Sequence, residues 1–270
     1  KNNDEEKTKQ LKKLVTPFIL RRNKKEVLTE LPDKIEQNII LPFNDEEEKL
    51  YVANLAEANK ELQELYDLEG SDKMQILKLL TRLRQLCLEP RLVYDNIDQP
   101  SSKLKACMEL IKTMQENKQK VLLFSSFTSV LDLIAEECQK AGITYYMLTG
   151  STNKEDRREL VSRFQKDDTT VFLISLKAGG TGLNLTSAEA VIHFDPWWNV
   201  SAQNQATDRA YRIGQKNNVQ VFNLVMKDSV EEKIIELQKR KKELADMFVE
   251  NNSGGLSQMS KEDILSLFTM

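Results

Sequence analysis

Hydrophobic residues in the second half of the chain occur as short continuous runs with amphipathic stretches between them. The runs are rich in Val, Ile, Leu and Phe, which is typical of strands buried on both faces of a parallel sheet. They lie at 121–124, 144–148, 171–175, 190–194 and 219–225. Helical periodicity predicts helices at 103–116, 128–140, 153–165 and 199–212. This alternation predicts an α/β fold in which helices flank a parallel sheet.

The first part of the chain has a different pattern. Two long helices are predicted at 44–67 and 73–88, and the polar tract 95–102 separates them from the α/β region. A strand-like run at 35–41 precedes them, and one placement for it is the edge of the sheet, beside 219–225. Beyond the sheet, further helices are predicted at 229–249 and 260–268.

The composition is that of a soluble globular protein, since the 270 residues are 40% hydrophobic and 30% charged. The net charge of −3 means that attraction to nucleic acid has to come from local basic patches. Cys87, Cys107 and Cys138 lack metal-ligand spacing, and their odd number indicates a reducing, intracellular compartment. No apolar run reaches membrane length, and the charged N-terminus is unlike a signal peptide. Because Lys1 replaces an initiator Met, we expect a cut within a longer protein.

The string QATDRAYRIGQ, at 205–215, presents two arginines three positions apart. On a helix, Gln205, Arg209 and Arg212 form one stripe beside a stripe of small apolar residues. The planar, permanently charged guanidinium suits phosphate, so the pair predicts a phosphate-binding role. The alternative is a surface helix in which Asp208 pairs with either arginine.

Three further segments carry polar residues next to predicted strands. The glycine-rich loop 175–185 can approach another backbone or a phosphate, or it is simply a tight connection. In 124–130, the hydroxyls either bond DNA phosphates or cap the following helix. Two adjacent tryptophans, Trp197 and Trp198, are not both expected to be buried, and an exposed one can stack against nucleic acid. The single histidine, His193, is predicted to be a core residue.

Four segments resemble, in order and spacing, the C-terminal helicase motifs IV to VI of Swi/Snf-family ATPases, a branch of helicase superfamily 2. They read VLLFSSFTSVLDLI, LTGSTNKEDRRELVSRF, ISLKAGGTGLNLTSAEAVIHFDPWWN and QATDRAYRIGQ. The upstream strings PFILRR, LPDKIE and LRQLCLEPRL resemble the inter-lobe region of the same family. The compact arrangement is similar to that of the bacterial members.

The resemblance implies the second RecA-like lobe of a DNA-dependent ATPase. It divides the chain into an inter-lobe segment, a helical protrusion, the helicase C-terminal lobe, and a bracing helix with a tail. These are expected at 1–42, 43–100, 101–228 and 229–270. In the family, two lobes bind ATP and Mg²⁺ between them and move along double-stranded DNA. The P-loop and the acidic Mg²⁺-binding motif belong to the first lobe and are missing from this sequence, so the chain alone is expected not to hydrolyse ATP.

The resemblance also assigns roles to individual residues. Arg212 is implied to be the arginine finger, with Arg209 beside it and with Gln205 and Asp208 ordering the ATP interface. The residues implied to couple nucleotide to DNA are Gly180, Thr181, Gly182 and Asn184. Those implied to contact DNA are Ser125, Thr128, Ser175, Lys177 and Trp198. No residue is implied to bind a metal directly.

Departures from the family pattern are few: Tyr211 replaces a common His, and Val200 replaces a common Pro. The implied partners are double-stranded DNA, the N-terminal lobe of the same protein and a nucleoprotein target. The implied location is the cytoplasm, on the nucleoid, in a bacterium and the nucleus in a eukaryote. Two alternatives stay open, namely a stand-alone DNA-docking or regulatory module and a strand-separating helicase. Residues 18–20 form a short apolar cluster, which is expected to pack on the protrusion, make a crystal contact or be disordered.

Overall fold

The computed structural model describes residues 31–67, 73–179 and 182–247, together with residues 265, 267 and 268. The predictions for residues 18–20, and most of the predicted helix 260–268, therefore lie outside the described residues. The predicted sheet is present. Within the described residues it has six strands, and every neighbouring pair is parallel.

The strands are β1 Lys34–Leu41, β2 Val121–Ser125, β3 Tyr145–Leu148, β4 Val171–Ser175, β5 Ala190–His193 and β6 Val219–Met226. Their spatial order is β1-β6-β5-β2-β4-β3. All residues of β2, β4 and β5 are buried, as their continuous apolar runs predict. β1 adds to the edge beside β6, with Lys34 opposite Val219 and Leu41 opposite Met226, which confirms the edge placement of this strand.

Helices cover the sheet and extend beyond it. They are α1 Asp45–Asp67, α2 Lys73–Leu88, α3 Ser102–Glu116, α4 Thr128–Lys140, α5 Lys154–Phe164, the single turn α6 Leu176–Gly179, α7 Val200–Thr207 and α8 Val230–Met247. Side chains cap several of these helices. Asn44 accepts from the Glu46 and Glu47 amides at the start of α1, and Ser229 accepts from the Glu231 amide at the start of α8. Ser101, Asn153 and Asn199 accept hydrogen bonds from backbone amides in the first turns of α3, α5 and α7 respectively.

Two apolar layers enclose the sheet because side chains alternate along each strand. Val121 and Leu123 of β2 pack into the layer that contains residues of α3 and α4. Leu122 and Phe124 pack into the opposite layer, which contains residues of α5 and α7. The carboxyl ends of the strands are thereby fixed between two rigid layers.

A third apolar cluster joins the helical protrusion to α8. It contains Leu55 of α1, Leu80 of α2 and Ile234 of α8, and Phe268 packs against them. Next to it, the Lys103 ammonium donates to both oxygens of the Glu231 carboxylate, at 2.6 and 2.7 Å, and both side chains are at most 1% exposed. The helix predicted to brace the lobes is thus packed on the protrusion and tied to α3.

The predicted helix 199–212 is wrong at its end, because α7 stops at Thr207. After Thr207 the backbone tightens into turns, because the Arg209 and Ala210 amides donate to carbonyls three residues earlier, those of Ala206 and Thr207, each at 3.1 Å. The Arg209 carbonyl accepts from the Leu185 amide of the glycine-rich loop at 3.0 Å. The two arginines therefore lie on turns that follow the helix.

Candidate functional site

The carboxyl ends of the central strands meet at one edge of the sheet. Ser125 at the end of β2 pairs with Ser175 at the end of β4, and Phe124 pairs with His193 at the end of β5. Ligands of open parallel sheets bind at this edge. It therefore brings together the residues that the sequence predicts to contact DNA.

Asp195, which follows β5, organises this edge. Its Oδ1 accepts from the Ser125 hydroxyl at 2.7 Å and from the Ser126 amide at 2.9 Å. Its Oδ2 accepts from the Ser126 hydroxyl and from Arg84 Nη2, the latter at 2.8 Å. The carboxylate is 1% exposed, so these donors replace the water that a buried charge requires.

The two serines predicted to contact the DNA backbone lie inside the protein. Ser125 is fully buried and bonds to Asp195. Ser175 is 4% exposed, and its hydroxyl oxygen accepts from the Ala178 amide at 3.4 Å. Neither serine caps α4, whose N-cap is Phe127 without a side-chain hydrogen bond. A DNA contact by these two hydroxyls stays a prediction that would require them to leave their internal partners. Thr128 and Lys177 at the same edge are exposed.

Arg84 joins the protrusion to this edge. Besides Asp195, its Nη2 donates to the Ser126 hydroxyl at 3.0 Å and to the Pro196 carbonyl at 3.3 Å. Its guanidinium lies 4.9 Å from the Phe127 ring centroid and 5.7 Å from that of Trp198. Sequence periodicity places Arg84 beside the leucines of α2 and gives no sign of these partners.

The tryptophans that follow Asp195 are both half-buried, as expected for a pair that cannot be buried together. Trp197 packs on the layer that contains α7, whereas Trp198 packs on the cluster that joins the protrusion to α8. The Trp197 amide donates to the Gln203 side chain at 3.2 Å, and its carbonyl accepts from Gln238 of α8. This loop is therefore held by three helices.

His193 is a core residue, as predicted. It is 1% exposed, stacks on Phe124 at 5.6 Å, and its Nε2 lies 2.9 Å from the Thr207 hydroxyl. Burial lowers the pKa of the imidazole to about 4, although the negative charges of Glu36 and Asp195 oppose the shift. At neutral pH the ring is uncharged and has a structural role.

The arginine segment 208–215 lies on the surface next to the glycine-rich loop. Arg212 is exposed and Arg209 is half-buried. The pKa of the Arg209 guanidinium is lowered, first by burial and then by the positive charge of Arg212, while Asp208 opposes the shift. The positive charge of Arg212 and the negative charge of Asp208 therefore both act on the Arg209 guanidinium.

Buried residues fix the backbone of this segment. Ala210 is fully buried, and Gln215, 7% exposed, donates to the carbonyls of Ala188 and Ala210 at 2.8 and 3.2 Å. Gly214 has a φ of 101°, in the left-handed region that favours glycine. The arginines are thus mounted on turns whose two ends are anchored in the protein.

The glycine-rich loop contacts the arginine segment directly through the Leu185–Arg209 backbone hydrogen bond. Gly182 has a φ of 46° and Asn184 is exposed, with its carbonyl accepting from Gln165 at 2.7 Å. Gln205 is exposed on α7. Gly180 and Thr181 lie outside the described residues.

The described part of the chain contains no sign of a metal site, a reactive cysteine or a membrane-spanning helix. Within those residues, no group of three His, Cys, Asp or Glu side chains has a metal-binding arrangement. The three cysteines are buried thiols, and burial raises the pKa of Cys138 to about 12. No helix among those described is long and apolar enough to cross a membrane.

Two family descriptions match the chain. "Helicase conserved C-terminal domain" matches residues 102–214, and "SNF2-related domain" matches residues 1–92. The first range contains the central strands, the glycine-rich loop and the arginine segment up to Gly214.

Similar proteins carry related names. A Mycoplasma pneumoniae protein, an uncharacterized ATP-dependent helicase, is 38% identical over 270 residues, a match that covers 98% of this chain and 26% of that protein. The Bacillus subtilis protein YwqA, provisionally named an ATP-dependent helicase/translocase, is 35% identical over 279 residues, covering 100% of this chain and 30% of YwqA. The chain therefore spans less than a third of the length of these curated relatives.

A solved structure shares the fold. The SWI2/SNF2 ATPase core of Sulfolobus solfataricus in complex with double-stranded DNA aligns with a TM-score of 0.71 and 32% identity, over 96% of this chain and 55% of that chain. The aligned region corresponds to one RecA-like lobe. The sheet and the motifs at its carboxyl edge agree with this assignment. The chain belongs to the Swi/Snf family of helicase superfamily 2 and contains the family's C-terminal RecA-like lobe.

Proposed function

We propose that this chain is the second motor lobe of an ATP-dependent translocase that acts on double-stranded DNA. The observation that carries the proposal is the arrangement of exposed Arg212 and half-buried Arg209 on turns anchored by Ala210 and Gln215. Fixed guanidinium groups that face outward are suited to a phosphate bound on another surface. In phosphoryl transfer, an arginine finger accelerates the reaction by roughly 10³–10⁵-fold.

The triphosphate and Mg²⁺ would be bound mainly by the first lobe. The sequence contains no G-x-x-x-x-G-K-[ST] string, and the described residues offer no cluster of metal ligands. We expect Mg²⁺ to neutralise phosphate charge in the closed site, with its ligands on the upstream lobe. It follows that this chain alone hydrolyses no ATP at a measurable rate.

Within this chain, Arg212 donates to the transferring phosphate and stabilises the charge that develops on its oxygens. Arg209 supports the same charge, and Gln205 and Asp208 order the facing surface. Coupling to DNA runs through Gly180, Thr181, Gly182 and Asn184. The Leu185–Arg209 hydrogen bond supports this role, since it joins the end of the glycine-rich loop directly to the arginine segment.

DNA binds at the carboxyl edge of the sheet in this proposal. Exposed Thr128 and Lys177 contact the backbone first, and Trp198 lies beside the groove. Ser125 joins them if its bond to Asp195 opens, and Ser175 joins them if its hydroxyl leaves the Ala178 amide. The double-stranded DNA in the similar Sulfolobus complex supports duplex as the ligand. The other partners are the N-terminal lobe of the same protein and a nucleoprotein target in the nucleoid or nucleus.

The test uses the full-length protein with Arg212→Ala. Turnover of ATP at saturating duplex DNA is expected to fall by about 10³-fold or more, because transition-state charge loses its donor. Lys216→Ala removes a nearby exposed cation and serves as the matched control, with turnover expected to stay near wild type. This chain without the upstream lobe gives the baseline.

Near-normal turnover by Arg212→Ala with weakened DNA binding would contradict the finger role. That result would favour the alternative, a DNA-docking or regulatory module whose arginines bind DNA phosphate. A strand-displacement assay on the same proteins separates translocation along duplex from strand separation.

A further inference from the structure

Arg84 is the point at which the helical protrusion reaches the strand ends. It lies 111 positions before Asp195 in the sequence, and its Nη2 nevertheless donates to that carboxylate at 2.8 Å. The two side chains are 9% and 1% exposed. Because a buried ion pair tolerates little change in geometry, this contact fixes α2 against the loop that follows β5.

The same guanidinium reaches both loops that approach DNA in the proposed function. One loop follows β2, where Ser126 and Phe127 contact Arg84 directly before exposed Thr128. The other follows β5, where Pro196 and Trp198 contact it. A planar guanidinium that contacts both aromatic rings constrains their positions in a way that a lysine ammonium does not.

The hydrogen bonds of Arg84 leave part of its guanidinium for other contacts. Nη2 donates to Ser126, Asp195 and Pro196, whereas Nε is buried without a hydrogen-bond partner among the described residues. The guanidinium carbon lies over the Phe127 ring and over the Trp198 ring. These two ring contacts are the feature that a lysine in this position would not reproduce.

We propose that Arg84 is a positioning residue for duplex DNA, holding Trp198 and Thr128 at the separation that the duplex requires. The proposal rests on the proposed function, since it assigns the carboxyl edge to DNA. Arg84 touches neither DNA nor ATP. It acts through Asp195, Phe127 and Trp198, and it thereby connects the protrusion to the proposed DNA-binding edge.

The experiment measures DNA-stimulated ATP hydrolysis by the full-length protein. Arg84→Lys keeps the charge opposite Asp195 and loses the planar fork. We expect the duplex concentration for half-maximal stimulation to rise about tenfold, while turnover at saturating duplex stays within about twofold of wild type. A tenfold shift corresponds to about 1.4 kcal/mol of DNA binding.

The control is Arg82→Ala, two positions away on α2. Arg82 is 46% exposed, lies 3.9 Å from Glu57, and contacts no loop at the strand ends within the described residues. Arg82→Ala is expected to leave both the half-maximal duplex concentration and the turnover unchanged. The double variant Arg84→Met with Asp195→Asn removes both charges together, so it separates loss of DNA binding from misfolding.

The outcomes separate this inference from the function on which it rests. If Arg84→Lys and the double variant, both folded by thermal melting, bind duplex as Arg82→Ala does, the positioning role is overturned. It is also overturned if turnover at saturating duplex falls while the half-maximal concentration stays constant. Absence of duplex stimulation in the wild type would remove the proposed function itself, and this inference with it.

Discussion

His193 shows how a single polar side chain can be accommodated in an otherwise apolar sheet. It follows Ile192 in β5, stacks on Phe124, and uses only Nε2, because Nδ1 has no partner among the described residues. Burying a neutral imidazole with one unpaired nitrogen costs a moderate free energy, whereas burying a charged imidazole in the same place costs much more. Folding and protonation of this residue are therefore coupled.

We expect His193 to make stability depend on pH. The pKa is about 4 in the folded protein and near 6.5 in the unfolded chain, so between these values only the unfolded chain binds the proton. Stability is therefore lost as pH falls from about 6.5 towards 4, with about 2 kcal/mol lost between pH 7 and pH 5. The measurement is urea unfolding at both pH values.

His193→Gln is the reference for that measurement, since the chain has no other histidine. The variant is expected to be less stable at pH 7 and to lose about 2 kcal/mol less than wild type on acidification. An identical pH dependence in the two proteins would show that the carboxylates alone cause it.

The environment of a side chain was predictable from sequence only where its immediate neighbours in the chain determine it. The burial of His193 followed from its place in an apolar run. The internal position of Ser125 did not, because it depends on Asp195, 70 positions later. The Arg84–Asp195 contact spans 111 positions and leaves no trace in local periodicity.

α7 and the turns after it show where helical periodicity and the structure diverge. Periodicity continues through Arg212, and Ala206 and Ala210 of the small apolar stripe are buried as it predicts, whereas Ile213 of the same stripe is 70% exposed. The helix nevertheless ends at Thr207, after which the backbone forms turns whose Arg209 carbonyl bonds to Leu185 of another loop. The strands were predictable because continuous apolar runs indicate burial on both faces, whereas these turns and their contact with a distant loop leave no signal in local periodicity.

The conformation of Gly214 is expected to control the arginine segment. Gly214→Ala meets no atom within 4 Å, but its φ of 101° is strained for any residue with a Cβ. We expect a loss of roughly 1–2 kcal/mol in stability and a clear fall in ATP turnover by the full-length protein, since Arg212 lies two residues away.

Gly142→Ala is the matched control for that variant. Gly142 has a φ of 66° and open space around it, and it follows α4 at the amino edge of the sheet. It should lose similar stability and keep full turnover. Equal turnover in the two variants would show that the geometry of the turn does not matter to catalysis.

The molecule as a whole has a net charge of −3, so its proposed attraction to DNA has to be local. The carboxyl edge of the sheet presents exposed Lys177 after β4, and the opposite edge presents exposed Lys166 before β4. The two lysines have the same charge and differ in which end of the sheet they occupy.

Lys177→Ala in the full-length protein is expected to weaken duplex binding severalfold. The slope of log affinity against log salt should decrease by about one, because one phosphate contact is lost. Lys166→Ala should change neither the affinity nor the slope. Titrations of labelled duplex at several salt concentrations measure both, and equal effects of the two substitutions would place the DNA elsewhere.

β1 has a mechanical consequence for a protein of this kind. It pairs with β6 along all eight of its residues, in parallel. In the proposed two-lobe motor, a force applied along the axis of β1 would load this ladder of hydrogen bonds in shear, so that the bonds resist together instead of opening one by one. The edge strand would then carry tension into the central sheet without being peeled from it.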